Sequence, residues 1–585
     1  MRLASTFIFI AMLLVTSVAS AQVPLGSAIS IKGTGGGGGS SASDPTVFDV
    51  TDYGAIADDG LTDVAAFQAA ADAACALTGD KVIEIPAGDF HMGDDTETSF
   101  YNGSAVVIDS GCDNLTIKGA GRTATRLLAE STNGQTMIAV CNFNISDCND
   151  ADTTVTKNFK LSDLALVDLD PALHGGQNSG YAFAPAATGG TPAFGDPVSW
   201  SGGSGTIHGY DSGRGLYIIA DPTNTPTGTL TTSAGWTAGV ITSGAGTRTE
   251  GTHGLATKYV DGLTVERVDC LDISDECLDF KIDSNNVLVQ DFRSTGVGQV
   301  NEGGSAIGID CTTSATVDNF YIDGGTSSTS SASGGAIVVA TNCVAAGDDD
   351  PIAENVRILN GTMIDTSVDV EDKIETGLTF SLNTSVSNPD ANDPILRNVV
   401  VQNVNISGFQ DAIAAGGTTG DGDVTFINVI ADGGYEDVAT YRNRLITTRF
   451  DNNDNTVTIR GIEYMSGSYV SSTSGTDALT ISHAFTMVGS EIEHLGGVGD
   501  DCLLLNSGPN MVTGSIFRTC GVGSSAGHRP VDSGSSSSDT VLIGNLKAGG
   551  HATSAFGTGA ASPGTGCSGG LTSGIALCDL NLISP

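Results

Sequence analysis

The sequence predicts an all-β solenoid, and three observations point to it. Short apolar-alternating runs recur along the chain: Gly254-Leu255-Ala256-Thr257, Cys277-Leu278-Asp279-Phe280, Ala306-Ile307-Gly308-Ile309 and Ala336-Ile337-Val338-Val339, then residues 377–380, 411–414, 478–481 and 502–505. Their Leu or Ile anchors fall roughly 23 to 35 residues apart, the length of one solenoid coil with several strands per turn. A second run follows each, such as Asn286-Val287-Leu288-Val289 or Asn398-Val399-Val400-Val401. Helical periodicity is missing after Leu77, whereas a doubly wound sheet needs helices between its strands.

The elements read in order from the N-terminus. Arg2, an apolar run from Phe7 to Val18 and Ala19-Ser20-Ala21 form a secretory signal, with cleavage expected after Ala21. Residues 22–45 are a Gly/Ser-rich linker. Val47–Val50 is a short strand, and Asp52-Tyr53-Gly54-Ala55 and Asp58-Asp59-Gly60 are turns. Thr62 is the expected N-cap of a helix that carries Val64, Phe67, Ala71, Ala74 and Cys75 on one face. Lys81–Gly88 is a strand ending in a turn.

The series D-Y-G-A, D-G-x-T-D, an Ala-rich helix and I-P-A-G over residues 46–92 resembles the N-terminal cap of the pectate-lyase superfamily, nearest its rhamnogalacturonase and epimerase-like members. That resemblance implies a right-handed parallel β-helix with a short capping helix over residues 46–585. Hydrolases, lyases, epimerases and tailspikes share this fold, so the resemblance does not choose a reaction.

Two segments break the rhythm. Residues 172–250 are rich in Gly, Ser, Thr and Pro and are expected to form a long loop insertion. They hold both tryptophans, Trp200 and Trp236, which either stack on sugar rings or pack the loop against the solenoid. Residues 549–585 are expected to cap the C-terminal end.

Composition narrows the partners. The 585 residues carry 67 acidic and 24 basic side chains, a net charge of -43. Phosphate-rich nucleic acid and anionic membrane surfaces are thereby excluded. No run after the signal is long enough for a membrane span. An extracellular or periplasmic protein is expected, as a monomer or alternatively a trimer of β-helices. Twelve cysteines suit that oxidising setting. Cys141/Cys148, Cys502/Cys520 and Cys567/Cys578 are candidate local bridges, and paired C-x-x-C zinc spacing is absent.

Coil register turns sequence distance into proximity, since equivalent residues of successive coils lie about 4.8 Å apart. It sets Asp477 beside Asp501, with Asp500 adjacent and His528 on the next coil. Clustered carboxylates push their pKa values apart, so one stays protonated while another activates water. The same residues resemble the polygalacturonase family of glycoside hydrolases: Gly475-Thr476-Asp477-Ala478, Gly499-Asp500-Asp501-Cys502 and Gly527-His528-Arg529 stand for its N-T-D-G, G-D-D-C and G-H-G. The resemblance implies Asp500 or Asp501 as general acid, the remaining carboxylates activating water, His528 in support, Cys502 closing a loop with Cys520, and inversion without a cofactor. Arg529 or Lys547 would bind substrate in place of that family's R-x-K.

An alternative site is Asp275, Glu276 and Asp279, three hard-oxygen ligands suited to Ca²⁺. Lys281 follows, with Lys258 and Asp310 in the same outer column. A Lys beside that cation could abstract the proton α to a uronate carboxylate, giving calcium-dependent β-elimination. The D-E-x-x-D spacing is similar to the D-D-x-x-D calcium site of some β-helix pectate lyases. A ladder of Lys–Asp pairs is the structural explanation for the same residues. A third possibility is a glycan-binding adhesin whose corner aspartates only shape turns. In every case the partner is a polysaccharide.

Overall fold

The computed structural model describes most of residues 45–548 and short strands beyond. Outside the described residues lie 1–44, 170–179, 241–251, 325–334, 342–351, 367–375, 382–394, 453–461, 474–477, 496–501, 521–530, most of 549–585 and some shorter stretches. The signal and linker readings fall there. Among the described residues no helix is long and apolar enough to cross a membrane.

The chain winds into the parallel β-helix that the coil period implies. One inward column shows why. Ile83, Ile117, Leu161, Val265, Val289, Val317, Ile358 and Val401 stack in register, continued by Phe426, Leu445, Met465, Met487 and Val512. Each is at most 3% exposed, so alternation along every strand delivers one apolar residue per coil to a continuous core. A second column, Ile138–Leu255–Leu278–Ile307–Ile337–Leu378–Ile413, lines another sheet. A third sheet carries Phe450, Val470, Ile492 and Phe517 in register on its later coils.

The sharp bends between sheets need left-handed backbone, which Asn tolerates better than most residues. Asn355, Asn360, Asn398, Asn403 and Asn428 have φ between 52° and 57°. Their amides also form ladders: Nδ2 of Asn403 donates to Asn360 Oδ1 at 2.8 Å, and Nδ2 of Asn428 to Asn403 Oδ1 at 3.0 Å.

The helix Val64–Cys75 (α1) caps the first coil. Its Gln68 amide accepts from the Val107 N–H at 2.8 Å and donates to the Val107 carbonyl at 3.0 Å, satisfying a strand edge that would otherwise invite pairing. Cys75–Cys112 ties the helix down. The cap differs from the expected one in detail: its first strand is Thr46–Asp49 and Val50–Tyr53 forms a 3-10 turn. The N-cap position falls on Asp63 rather than Thr62, yet Asp63 makes no side-chain cap bond: its buried carboxylate accepts instead from the N–H groups of Ile56 (2.9 Å) and His91 (3.0 Å), which pins the preceding loop, while Thr62 Oγ1 accepts from the Val64 N–H at 3.5 Å.

The insertion is not a loop alone. Within residues 180–232 it folds into a five-stranded, largely antiparallel sheet with its own core of Trp200, Tyr217 and Trp236. Trp200 is 6% exposed and Trp236 1%, and Tyr217 stacks on Trp236 with centroids 5.9 Å apart. Neither indole offers a face to a sugar, so the substrate-binding expectation for Trp200 and Trp236 is corrected to packing. Cys502–Cys520 forms as expected. Cys141 and Cys567 lie outside the described residues, and of the Cys148 and Cys578 side chains nothing is described.

Candidate active site

Three consecutive rungs build the site: His253–Thr257, Leu278–Phe280 and Ile307–Asp310. Leu255 pairs with Leu278 and Leu278 with Ile307. Two residues upstream, this register sets His253 beside Glu276. Downstream, Lys258, Lys281 and Asp310 follow one another on successive rungs, as the sequence predicts. Leu278 and Phe280 point into the core, so Asp279 between them projects outward.

The turn ahead of the middle rung is held tightly. Cys270–Cys277 bridges the segment that carries Asp275 and Glu276. Beneath it, a Cβ on Gly254 would lie 2.6 Å from the Cys277 carbonyl oxygen, so only glycine lets the turn settle there.

The side chains converge. His253 Nε2 lies 3.3 Å from Asp275 Oδ2, while Nδ1 lies 3.0 Å from Glu276 Oε2 and 3.9 Å from Asp279 Oδ2. Lys281 Nζ lies 2.9 Å from Asp279 Oδ2. The Asp275 and Asp279 side chains are 4% and 2% exposed, against 20% for Glu276 and 34% for Lys281. Two carboxylates thus form a buried base under a rim of Glu276, His253 and Lys281 that solvent reaches.

Protonation follows from that layering. Burial, with Asp275 and Asp279 nearby, pushes Glu276 up to about 8. Burial alone would lower His253, but Asp275, Glu276 and Asp279 outweigh it and raise it to about 9. Burial and Asp279 raise Asp310 to about 7, against the opposing pull of Lys281. Asp279 drives Lys281 upward against its burial. Around neutral pH the rim therefore favours a protonated Glu276 beside an imidazolium and an ammonium, with Asp310 also raised toward the neutral range.

The expected calcium set is brought together, yet it fits calcium poorly. His253 sits among Asp275, Glu276 and Asp279, and Lys281 on Asp279, so the protein's own cations already cover these oxygens. One ligand atom each from His253, Glu276 and Asp279 lie within 4.8 Å of one another, a set with an imidazole nitrogen where calcium takes oxygen. The Lys281 ammonium is paired with Asp279, which favours the charged form over the neutral amine that the expected base role needs. Lys258 is buried at 8% exposure.

His253 was missed by sequence reasoning, although its signal was present: it precedes Glu276 by one coil. Of the other expected site, Asp477, Asp500, Asp501, His528 and Arg529 lie outside the described residues, and of Lys547 only the strand is described. The flanking strands do stack in the register on which that site was built, Leu479 on Leu503 and Leu503 on Val531.

Fold and site define a parallel β-helix carrying a half-buried acid–base cluster on one sheet. No family model and no curated protein matches the sequence. Among solved structures, the chain is similar to the mannuronan C-5 epimerase AlgE6 A-module of Azotobacter vinelandii, at 14% identity over 92% of this chain and 99% of that one, TM-score 0.41. It is also similar to a family 28 exopolygalacturonase of Yersinia enterocolitica, at 12% identity over 92% and 78%, TM-score 0.38. A third is the surface adhesin PfbA of Streptococcus pneumoniae, at 13% identity over 88% and 99%, TM-score 0.40. Likeness at this level carries no chemistry across.

Proposed function

We propose that this protein is an exported enzyme that hydrolyses the glycosidic bonds of a polysaccharide at the His253–Glu276–Asp310 cluster. The observation that carries the reading is the convergence of Glu276 on His253 at 3.0 Å above the buried Asp275 and Asp279, with Asp310 on the next rung and burial raising both Glu276 and Asp310. Glycoside hydrolysis needs such a pair, one acid and one base. Glu276 protonates the leaving oxygen. Asp310 takes a proton from the attacking water. Asp279 and Asp275, too buried to meet a sugar, hold Lys281 and His253 in place. Glu276 stands five residues ahead of Lys281, whose neighbour on the next rung is Asp310. Five extended residues span about 16 Å along the strand, so the acid and the base approach the substrate from well-separated points, and the anomeric configuration of the product decides between inversion and retention. A flat parallel sheet rising about 4.8 Å per rung offers a track for an extended polymer.

The test is reducing-end release from a panel of polysaccharides by wild type, Glu276→Gln and Asp310→Asn. Loss of activity in both variants, with cooperative thermal unfolding retained, supports the reading. Full activity in Glu276→Gln removes it. Retardation of a glycan without release of any product would favour an adhesin.

The Asp477/Asp500/Asp501/His528 edge is the second home for the same reaction, favoured by the stacking of Leu479 on Leu503. Asp501→Asn separates the two: if that variant is inactive while Glu276→Gln works, the chemistry belongs to the C-terminal edge.

A further inference from the structure

A groove of about 740 Å³ opens on a different sheet from the acid–base cluster. Arg444, Tyr464, Thr486 and Met511 form one column along it, each in register with the next. Their neighbours Leu445, Met465, Met487 and Val512 point into the core, so this column faces outward. Four rungs span roughly 14 Å. The column runs back through Thr425, Val400, Arg357 and Thr316 to Leu288, in the coil that follows Asp279. Five rungs, roughly 24 Å, thus separate groove and cluster along the solenoid axis.

The lining is chemically mixed in one particular way. Tyr464, Ile446, Pro509 and Met511 supply an apolar surface, with Met511 41% exposed. Arg444 lies beside them, its Nε donating to Glu463 Oε1 at 2.6 Å and its Nη1 3.8 Å from Asp423 Oδ1. The guanidinium charge is met by two carboxylates, so the groove does not attract an anion. Its spare N–H groups and the Glu463 oxygens still point planar donors and acceptors along the edge of the apolar strip. A peptide could not add here as a strand, because each strand of the groove is already paired on both sides.

We infer that this groove is a second, non-catalytic binding site for an uncharged stretch of glycan, with Tyr464 as the platform for a sugar face and the Arg444–Glu463 pair bonding its hydroxyls. A sugar ring has an apolar C–H face and a polar rim, which is the pattern of the lining. The inference rests on the reading that the substrate is a polysaccharide. The groove would hold one segment of polymer while another lies on the cluster's sheet, raising the effective concentration of bonds to be cut.

Affinity gel electrophoresis tests it, using the full chain as Glu276→Gln with laminarin, galactomannan and polygalacturonate as separate probes. At least one neutral glycan should retard the protein. Adding Tyr464→Ala or Met511→Glu should weaken that retardation roughly tenfold, the effect of losing one aromatic platform or spoiling the strip. Tyr321→Ala, an exposed ring on another sheet, should leave it unchanged. The inference is overturned by no retardation with either neutral glycan, by retardation with polygalacturonate alone, or by undiminished binding in both groove variants. Full cleavage by Glu276→Gln would sink the active-site reading and leave the gel result standing, so the two failures are distinguishable.

Discussion

The solenoid carries charge in two very different ways. On the third sheet, Arg449 pairs with Asp451 and Arg518 with Glu491, while Tyr469 donates to Glu493 at 2.8 Å beneath Arg449, which lies 4.7 Å from the ring centroid. The arginines are 56% and 44% exposed, each cation meets its carboxylate in water, and such pairs contribute little. Around Glu276 the ingredients are similar, but four carboxyl groups face two cations, and two of the four are almost fully buried. There the charges are hard to form together, and burial with neighbouring carboxylates pushes Glu276 and Asp310 up. Burial and an unequal count, rather than residue type, separate a site from a ladder.

The largest effect that can break this comparison is catalytic. Glu276→Gln should cut polysaccharide hydrolysis about 100- to 10,000-fold, the range for a lost general acid, while Arg518→Gln leaves it unchanged. Reducing-end assays on both variants decide. Next comes stability. Lys281→Met strands Asp279, 2% exposed, and should cost about 3 kcal/mol in urea unfolding. Arg518→Met, on the exposed ladder, should cost less than about 1 kcal/mol. Equal losses would erase the distinction.

The pH dependence sharpens it further. Activity should rise as Asp310 ionises near 7 and fall as Glu276 ionises near 8, giving a narrow optimum between them. Stability has its own sign. Glu276 goes from 4.5 unfolded to about 8 folded, and His253 from 6.5 to about 9, so the folded state binds more protons throughout. Their contributions are complete below the unfolded values and are lost as pH rises through the folded ones. The melting temperature should therefore fall between about pH 5 and 9, and the slope should flatten in Glu276→Gln. A slope identical to wild type would contradict the shift.

The fold was legible because its signals are local and repeated. Alternation placed Leu255, Leu278 and Ile307 inward, and the coil period stacked them, which also put Lys258, Lys281 and Asp310 in one column. The same register would have found His253, one coil ahead of Glu276, but a lone histidine at a strand start carries no motif. Cys270–Cys277 has the same separation of 7 as the candidate Cys141/Cys148 and was open to the same spacing argument, whereas Cys75–Cys112, 37 apart, depends on where the capping helix comes to rest. Trp200 and Trp236 misled for the opposite reason: aromatic residues in a Gly/Ser-rich stretch look available, and only a folded sheet shows that they are covered. The Asn ladders were illegible as such, since turn-forming Asn reads alike whether or not its amide meets another.

The smallest expected effect is that of a chelator, and it probes the same surplus of carboxylates. If His253 and Lys281 neutralise Asp275 and Asp279, a divalent cation entering the cluster must displace an imidazolium or an ammonium and ionise Glu276, each step opposed by the proton affinities above. EDTA should then leave hydrolysis within error of the untreated enzyme at pH 7.5. Added Ca²⁺ should not restore activity to Glu276→Gln, and products should show no near-ultraviolet absorbance from an unsaturated sugar. Inhibition by EDTA reversed by Ca²⁺, together with that absorbance, would return Asp275, Glu276 and Asp279 to the role of calcium ligands and Lys281 to that of the base, because only a bound cation could draw Asp279 away from the ammonium.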